Sequence, residues 1–227
     1  MESRTSTGSE ILDRLLDGGF ETDTVTTIYG PSGSGKTNIC IIAATHIAKK
    51  GKRVIYIDTE GGFSVERMKQ IAPEEHEEII KNTTFLKPTN FSEQRNAFGK
   101  LSKLIDEDIG IIIVDTIAML YRIEIGKTNN VYDVNKDLGI QISYLSEITR
   151  RKNIPILITN QVYSNFEGSG IKMVGGDILK YGSKCLVELQ SGHKGARKAI
   201  LKKHRSIAED REVVFKIVNE GIEEIKK

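Results

Sequence analysis

Cysteine is nearly absent: Cys40 and Cys185 are the only two in 227 residues. They show no paired spacing, so neither a disulfide framework nor a zinc site is expected, and a reducing intracellular setting fits. Long apolar runs are missing as well. The first ten residues are polar, and nothing approaches the ~20 consecutive apolar residues of a membrane helix. The expectation is a cytoplasmic chain with no membrane partner. Charge of one sign is not in excess, because 33 Lys and Arg face 31 Asp and Glu for a net charge of +2. That total is too small to indicate a nucleic-acid partner, which would have to be read from local clusters. Internal repeats, low-complexity tracts and Pro/Gly/Ser linkers are lacking too. One domain over 1–227 is therefore expected, a length that a single α/β core accommodates.

What is present is an ordinary globular balance, 38% hydrophobic and 28% charged, arranged as alternating strand and helix signals. A short helix is expected over 7–17, stopped by Gly18 and Gly19, and a β-branched strand follows over 25–29. A helix over 38–50 leads to a strand over 54–57, and Ser64 caps a further helix that Pro73 ends. The acidic run 74–78 reads as a solvated helix face, since its carboxylates have no fixed geometry around His76. An amphipathic helix over 90–107 delivers the chain to the most apolar strand, 109–114, and a helix over 133–152 precedes a buried strand at 154–159. Strands alternating with helices imply a parallel sheet. After Gln161 the pattern changes to a glycine-bearing loop and then to strand-like stretches at 185–189, 199–202 and 213–218, expected to pair antiparallel.

The chemistry begins between the first long strand and its helix. Gly30, Pro31, Ser32, Gly33, Ser34, Gly35, Lys36 and Thr37 match the phosphate-loop pattern, in the strand–loop–helix context that its mechanism needs. Backbone N–H groups of such a loop surround phosphate oxygens at a helix N-terminus, Lys36 reaches the β- and γ-phosphates, and the Thr37 hydroxyl ligates Mg²⁺. Asn38 follows in the same nucleotide-binding segment. The strand 111–115 ends in Asp115, placed to hold an acid over the same metal at the sheet's C-terminal edge. These parts are shared by kinases, GTPases, motors and recombinases. Glu60, just beyond the second strand, is suited to orient and deprotonate a water aimed at a γ-phosphate.

Segments reading STGSEILDRLLDGG, GPSGSGKT, YIDTEGGFSVERM, IIIVDTIAMLYR, LITNQV and GGD resemble, in the same order and over nearly the whole chain, the archaeal and eukaryotic recombinase branch of the RecA family. The resemblance implies an α/β, RecA-like P-loop ATPase core: a mostly parallel central sheet with helices on both faces and antiparallel C-terminal strands. It also implies ATP with Mg²⁺, Glu60 activating water, Gln161 sensing the γ-phosphate and relaying to the following loop, and Arg67 stacking on adenine. Two DNA loops are implied, one beginning at Arg122 and running to residue 132, the other over 162–174.

Residues 189–208 carry several cations and no acid, and Lys198, Lys202, Lys203 and Arg205 are the candidates for DNA contacts or for a finger reaching a neighbouring subunit's ATP. Unlike the full-length recombinases, the chain is expected to have no N-terminal helix-hairpin-helix domain. The implied role is an accessory in homologous recombination and DNA repair, with slow ATP hydrolysis and little or no strand exchange. Its partners would be single-stranded or branched DNA, with a RadA-type recombinase, a junction-processing nuclease and self-association as further candidates. A KaiC-like or helicase-like oligomeric ATPase is the alternative.

Overall fold

The apolar run 109–115 becomes a central strand because both of its faces are covered: Ile111 and Ile113 belong to one buried cluster, Ile112 and Val114 to another. Such double burial is what a near-continuous apolar run requires of a parallel sheet. The computed structural model describes residues 3–164 and 171–225. In chain order these form β1 (Arg4–Thr5), α1 (Glu10–Leu15), β2 (Phe20–Glu21), β3 (Val25–Gly30), α2 (Lys36–Lys49), β4 (Arg53–Asp58), α3 (Val65–Ile71), α4 (His76–Lys81), β5 (Thr83–Leu86), α5 (Phe91–Leu104), β6 (Ile109–Asp115), α6 (Met119–Ile125), α7 (Val131–Lys152), β7 (Ile156–Ser164), β8 (Ile171–Met173), α8 (Gly176–Gly182), β9 (Cys185–Ser191), β10 (Ala196–Lys203), β11 (Glu212–Val218) and β12 (Gly221–Glu224).

The main sheet runs β12-β11-β10-β9-β3-β7-β6-β4-β5, with β8 hydrogen-bonded to β7 outside that path. From β9 to β5 every neighbour is parallel, and β10, β11 and β12 add on antiparallel. One face packs on α1, α2, α3 and α4 through Leu12, Ile39, Met68 and Ile79, the other on α5, α6, α7 and α8 through Leu101, Leu120, Leu138 and Leu179. The mostly parallel sheet with helices on both faces and antiparallel C-terminal strands is therefore present. No helix among the described residues is long and apolar enough to cross a membrane.

Local signals explain most element ends. The Ser64 side chain accepts from the Arg67 N–H and Asn90 from the Glu93 N–H, each filling a donor left open at a helix start. Asn153 ends α7 in the left-handed conformation. The first helix is shorter than its 7–17 signal, because the Asp13 carboxylate turns back to accept from the Thr7 N–H and hydroxyl at 2.7 Å and from the Ser6 hydroxyl at 2.6 Å. Such side-chain bonds compete with a helical backbone.

Several elements depart from the sequence reading. The edge strand β5, the helix α8, the strand β12 and the small sheet of β1 and β2 carry no strong periodic signal and were not anticipated. The expected DNA loop over 122–132 is mostly helical: Arg122 lies inside α6, and α7 begins at Val131, leaving a short connection. Tertiary burial of Leu120 and Tyr121 outweighs the weak helical pattern there. The second expected loop, 162–174, opens and closes as a hairpin in which Val162 pairs with Met173, and its residues 165–170 lie outside the described residues.

Packing at two glycines can be tested directly. A Cβ on Gly182 would collide with Ile142 of α7, whereas one on Gly99, exposed in the middle of α5, meets nothing. Gly182→Ala is expected to lower the unfolding free energy by about 1–3 kcal/mol through overpacking. Gly99→Ala should raise it by roughly 0.5–1 kcal/mol through helix propensity. Urea titrations that moved both midpoints the same way would contradict this packing.

Candidate functional site

Strand register assembles the site. Gly30 at the end of β3 lies opposite Gln161 of β7, and Asp58 at the end of β4 lies opposite Asp115 of β6. Four chain segments thus meet at the C-terminal edge of one sheet, the position where open α/β sheets bind ligands.

The glycine loop leads from β3 into α2, whose N-cap Gly35 has φ 104°, a left-handed value that favours glycine. Gly30 cannot carry a side chain either, because a Cβ there would strike the Leu189 carbonyl. Lys36 is buried and curls back, its Nζ donating to the Gly30 and Pro31 carbonyls at 2.9 Å each. Burial lowers its pKa, while Asp115 and Glu60 oppose the shift. The buried Ser34 hydroxyl has no hydrogen-bond partner. A folded loop with an unsatisfied buried donor, an ammonium held on its own carbonyls and a helix N-terminus is a fitting cradle for phosphate oxygens.

Asp115 is 2% exposed, and burial raises its pKa. Its carboxylate accepts from the Thr159 hydroxyl at 2.5 Å and the Tyr56 hydroxyl at 3.0 Å, and Thr37 of α2 also favours its charged form. The chain then leaves β6 through a cis peptide to Thr116. No group of three or more His, Cys, Asp or Glu able to hold a metal ion occurs among the described residues. The Thr37–Asp115 pair therefore suits Mg²⁺, which uses one or two protein oxygens together with phosphate and water, and not an all-protein cage.

Glu60 is held from two sides. One carboxylate oxygen accepts from the Gln161 amide at 2.7 Å and from the Thr116 hydroxyl at 2.8 Å. The turn carrying it is built by Asp58, whose buried carboxylate accepts from the backbone N–H groups of Glu60, Gly62 and Phe63 at 3.1–3.3 Å. Gln161 in turn continues into the hairpin: its carbonyl accepts from the Val174 N–H, and the neighbouring Asn160 amide donates to the Val174 carbonyl.

Arg67 and Asn38 meet beside the loop. The guanidinium donates to Asn38 Oδ1 at 2.6 Å, to Gln70, and to the carbonyls of Val218, Asn219 and Gly221 in the β11–β12 turn. Arg67, Asn38, Gln70, Val218 and Asn219, with Thr37, Ile41 and Ile217, line a cleft of about 420 Å³. The fixed guanidinium plane and the aliphatic side chains would suit a flat aromatic base.

The remaining candidates are not gathered at this site. Arg122 is exposed on α6. Lys198 pairs with Glu212 at 3.0 Å, Lys202 with Asp210 at 2.5 Å, and Arg205 with Glu21 and Asp23 at 2.9 and 2.6 Å. Lys203 donates to the Lys180 and Ser183 carbonyls at the end of α8. Lys198, Lys202 and Arg205 of the stretch that is uniformly basic in sequence are thus matched in space by acids from other segments. Sequence reasoning missed Tyr56, Asp58, Thr116 and Thr159. A signal for Asp58 existed, a carboxylate closing an apolar strand before Gly61 and Gly62. The other three are recognisable only once the strands are side by side.

Comparison with known proteins agrees with this geometry. The family model described as Rad51 matches residues 3–225. The DNA repair and recombination protein RadB of Methanobrevibacter smithii is 42% identical over 93% of this chain and 92% of its own length. RadB of Methanococcus maripaludis is 44% identical over 96% and 99%. Among solved structures, one described as the RadB recombinase aligns with a TM-score of 0.83 at 35% identity, covering 97% of this chain and 99% of that one. A match this long, with the phosphate loop, the buried strand-end aspartate and the glutamate–glutamine pair all in place, makes this chain a member of the Rad51 family.

Proposed function

We propose that this chain is a cytoplasmic ATP-binding and DNA-binding accessory protein of homologous recombination and DNA repair; DNA repair and recombination are what the names of its RadB relatives state. The observation that carries the reading is the Gln161–Glu60 hydrogen bond, because it ties the nucleotide edge of the sheet to the β7–β8 hairpin. In this reading the glycine loop, Lys36 and Asn38 bind the triphosphate, the Arg67 cleft takes the adenine, and Thr37 and Asp115 hold Mg²⁺. Bound Mg²⁺ would neutralise charge on the β- and γ-phosphates. Glu60 orients the attacking water and accepts its proton, and Gln161, freed from Glu60 by a γ-phosphate, shifts the hairpin and with it the affinity for single-stranded or branched DNA.

Slow hydrolysis is part of the proposal. Lys203 and Arg205, the candidates for a finger into a neighbour's ATP, are engaged on carbonyls and carboxylates of their own chain. That engagement favours the accessory reading over a ring-forming, KaiC-like or helicase-like motor. A RadA-type recombinase and a junction-processing nuclease are the proposed protein partners.

Three outcomes are expected. Lys36→Ala should abolish ATP binding by calorimetry and erase any ATP-dependent change in DNA affinity, which allosteric coupling would set at roughly 5-fold or more; a DNA affinity equally ATP-dependent in both proteins would sink the switch. Glu60→Gln should keep ATP affinity while single-turnover hydrolysis falls by about 10²-fold or more, as for loss of a general base. Asp115→Asn should lose the Mg²⁺-dependent gain in ATP affinity yet raise the melting temperature of the free protein. The sign follows from the raised pKa: the native state prefers the protonated carboxyl, so the contribution of Asp115 is fully present below the ordinary carboxylate range and declines as pH rises through the raised value. At neutral pH the neutral amide should therefore be the more stable, and a lower melting temperature for the variant would contradict this.

A further inference from the structure

Strand β10 alternates its side chains between the two faces of the sheet. Ala199 and Leu201 join the buried cluster on the α2 side, and Arg197 shares their parity. Lys198 and Lys202, of the other parity, are paired with Glu212 and Asp210. Arg197 is different, forming no ion pair with any acid among the described residues. It lies instead against the glycine loop: a Cβ on Gly35 would stand 3.5 Å from Arg197 Cδ and 3.7 Å from its Nε.

The hold on this guanidinium is incomplete. Nη1 donates to the Gly195 carbonyl at 2.7 Å, Nη2 makes a long bond of 3.4 Å to the Gly33 carbonyl, and Nε is buried with no partner. A buried donor without an acceptor is costly. Arginine is also the side chain whose planar fork best matches phosphate oxygens. A guanidinium without an acidic partner, resting on a phosphate loop on a strand whose Lys198 and Lys202 are neutralised, is matched to an anion that occupies the loop.

We infer that Arg197 is an additional phosphate-binding residue of the nucleotide site, supplied by β10 of the same chain, which exchanges its long bond to the Gly33 carbonyl for a phosphate oxygen of the bound nucleotide. The inference rests on the ATP-site reading above. It gives the basic stretch a use within one subunit, distinct from DNA contact and from a finger into a neighbour.

The test is calorimetric titration of Mg²⁺–ATP into the full chain and into Arg197→Ala, Arg197→Lys and Lys198→Ala, with urea midpoints and DNA affinities measured in parallel. Loss of one charge-assisted hydrogen bond should weaken ATP binding of Arg197→Ala by about tenfold. Arg197→Lys should recover most of that loss, and Lys198→Ala should bind ATP as the parent does. The inference is overturned if Arg197→Ala stays within about twofold of the parent, a difference too small for a lost charged contact. It is equally overturned if Arg197→Lys recovers nothing, which would mark a packing role, or if DNA affinity falls while ATP affinity does not. A parent chain that binds ATP beside an unaffected Arg197→Ala would remove this inference alone. A parent that binds no ATP would remove the nucleotide site and this inference together.

Discussion

Everything at the sheet's C-terminal edge is arranged around one buried carboxylate. Asp115 sits at the end of the most apolar strand, where burial penalises its charge, and an ionised group in such a place is tolerable only when other groups answer it. Hydroxyls do so from the two flanking strands, Tyr56 from β4 and Thr159 from β7, and Thr37 of α2 also favours the charged form. These partners come from segments far apart in the chain, so meeting the needs of the carboxylate requires the strand order and the register together. The charge that remains uncompensated is what makes the site suited to a divalent cation in the proposed reading.

The same register gives the site its connection to the rest of the molecule. Because Gly30 lies opposite Gln161, the phosphate loop and the start of the β7–β8 hairpin are neighbours on adjacent strands. The Glu60–Gln161 hydrogen bond then spans β4 and β7 across the end of β6. A parallel sheet places the C-terminal ends of all its strands on one side, so the glycine loop, Glu60 and the start of the β7–β8 pairing fall together without any dedicated linker. On the far side of the loop, Arg67 stitches α3 to the β11–β12 turn through three carbonyls, which makes the antiparallel extension of the sheet one wall of the cleft beside the glycine loop. The C-terminal strands therefore shape this cleft as well as extending the sheet.

How much of this was legible beforehand varied with the kind of signal. The helices α2, α5 and α7 and the strands β3, β6 and β7 were visible because their apolar residues recur at fixed intervals and must be buried. Ser64 and Asn90 were visible as caps or boundaries because their short polar side chains serve open backbone donors. By contrast β5 and β12 are edge strands, partly exposed, with little apolar content to mark them. The helical turn containing Arg122 was hidden in what read as a loop, since Leu120 and Tyr121 are helical only through their burial against neighbouring helices. The basic stretch was misleading in a different way: a run of like charges in sequence says nothing of the acids that a fold brings opposite, and Glu212, Asp210, Glu21 and Asp23 all come from elsewhere.

By itself, then, the sequence determined the local parts: the phosphate loop from Gly30 to Thr37, the apolar strand ending in Asp115, the Glu60 turn and the α/β alternation, all set by residue type at short spacing. Tertiary structure alone decided which cations of β10 are neutralised and which one, Arg197, rests on the loop. It also decided that Tyr56 and Thr159 serve Asp115 and that Gln161 reaches Glu60. The reason is physical: propensity, capping and glycine conformation act within a few residues, whereas charge compensation and hydrogen bonding of buried groups depend on strand order and register, which no single segment specifies.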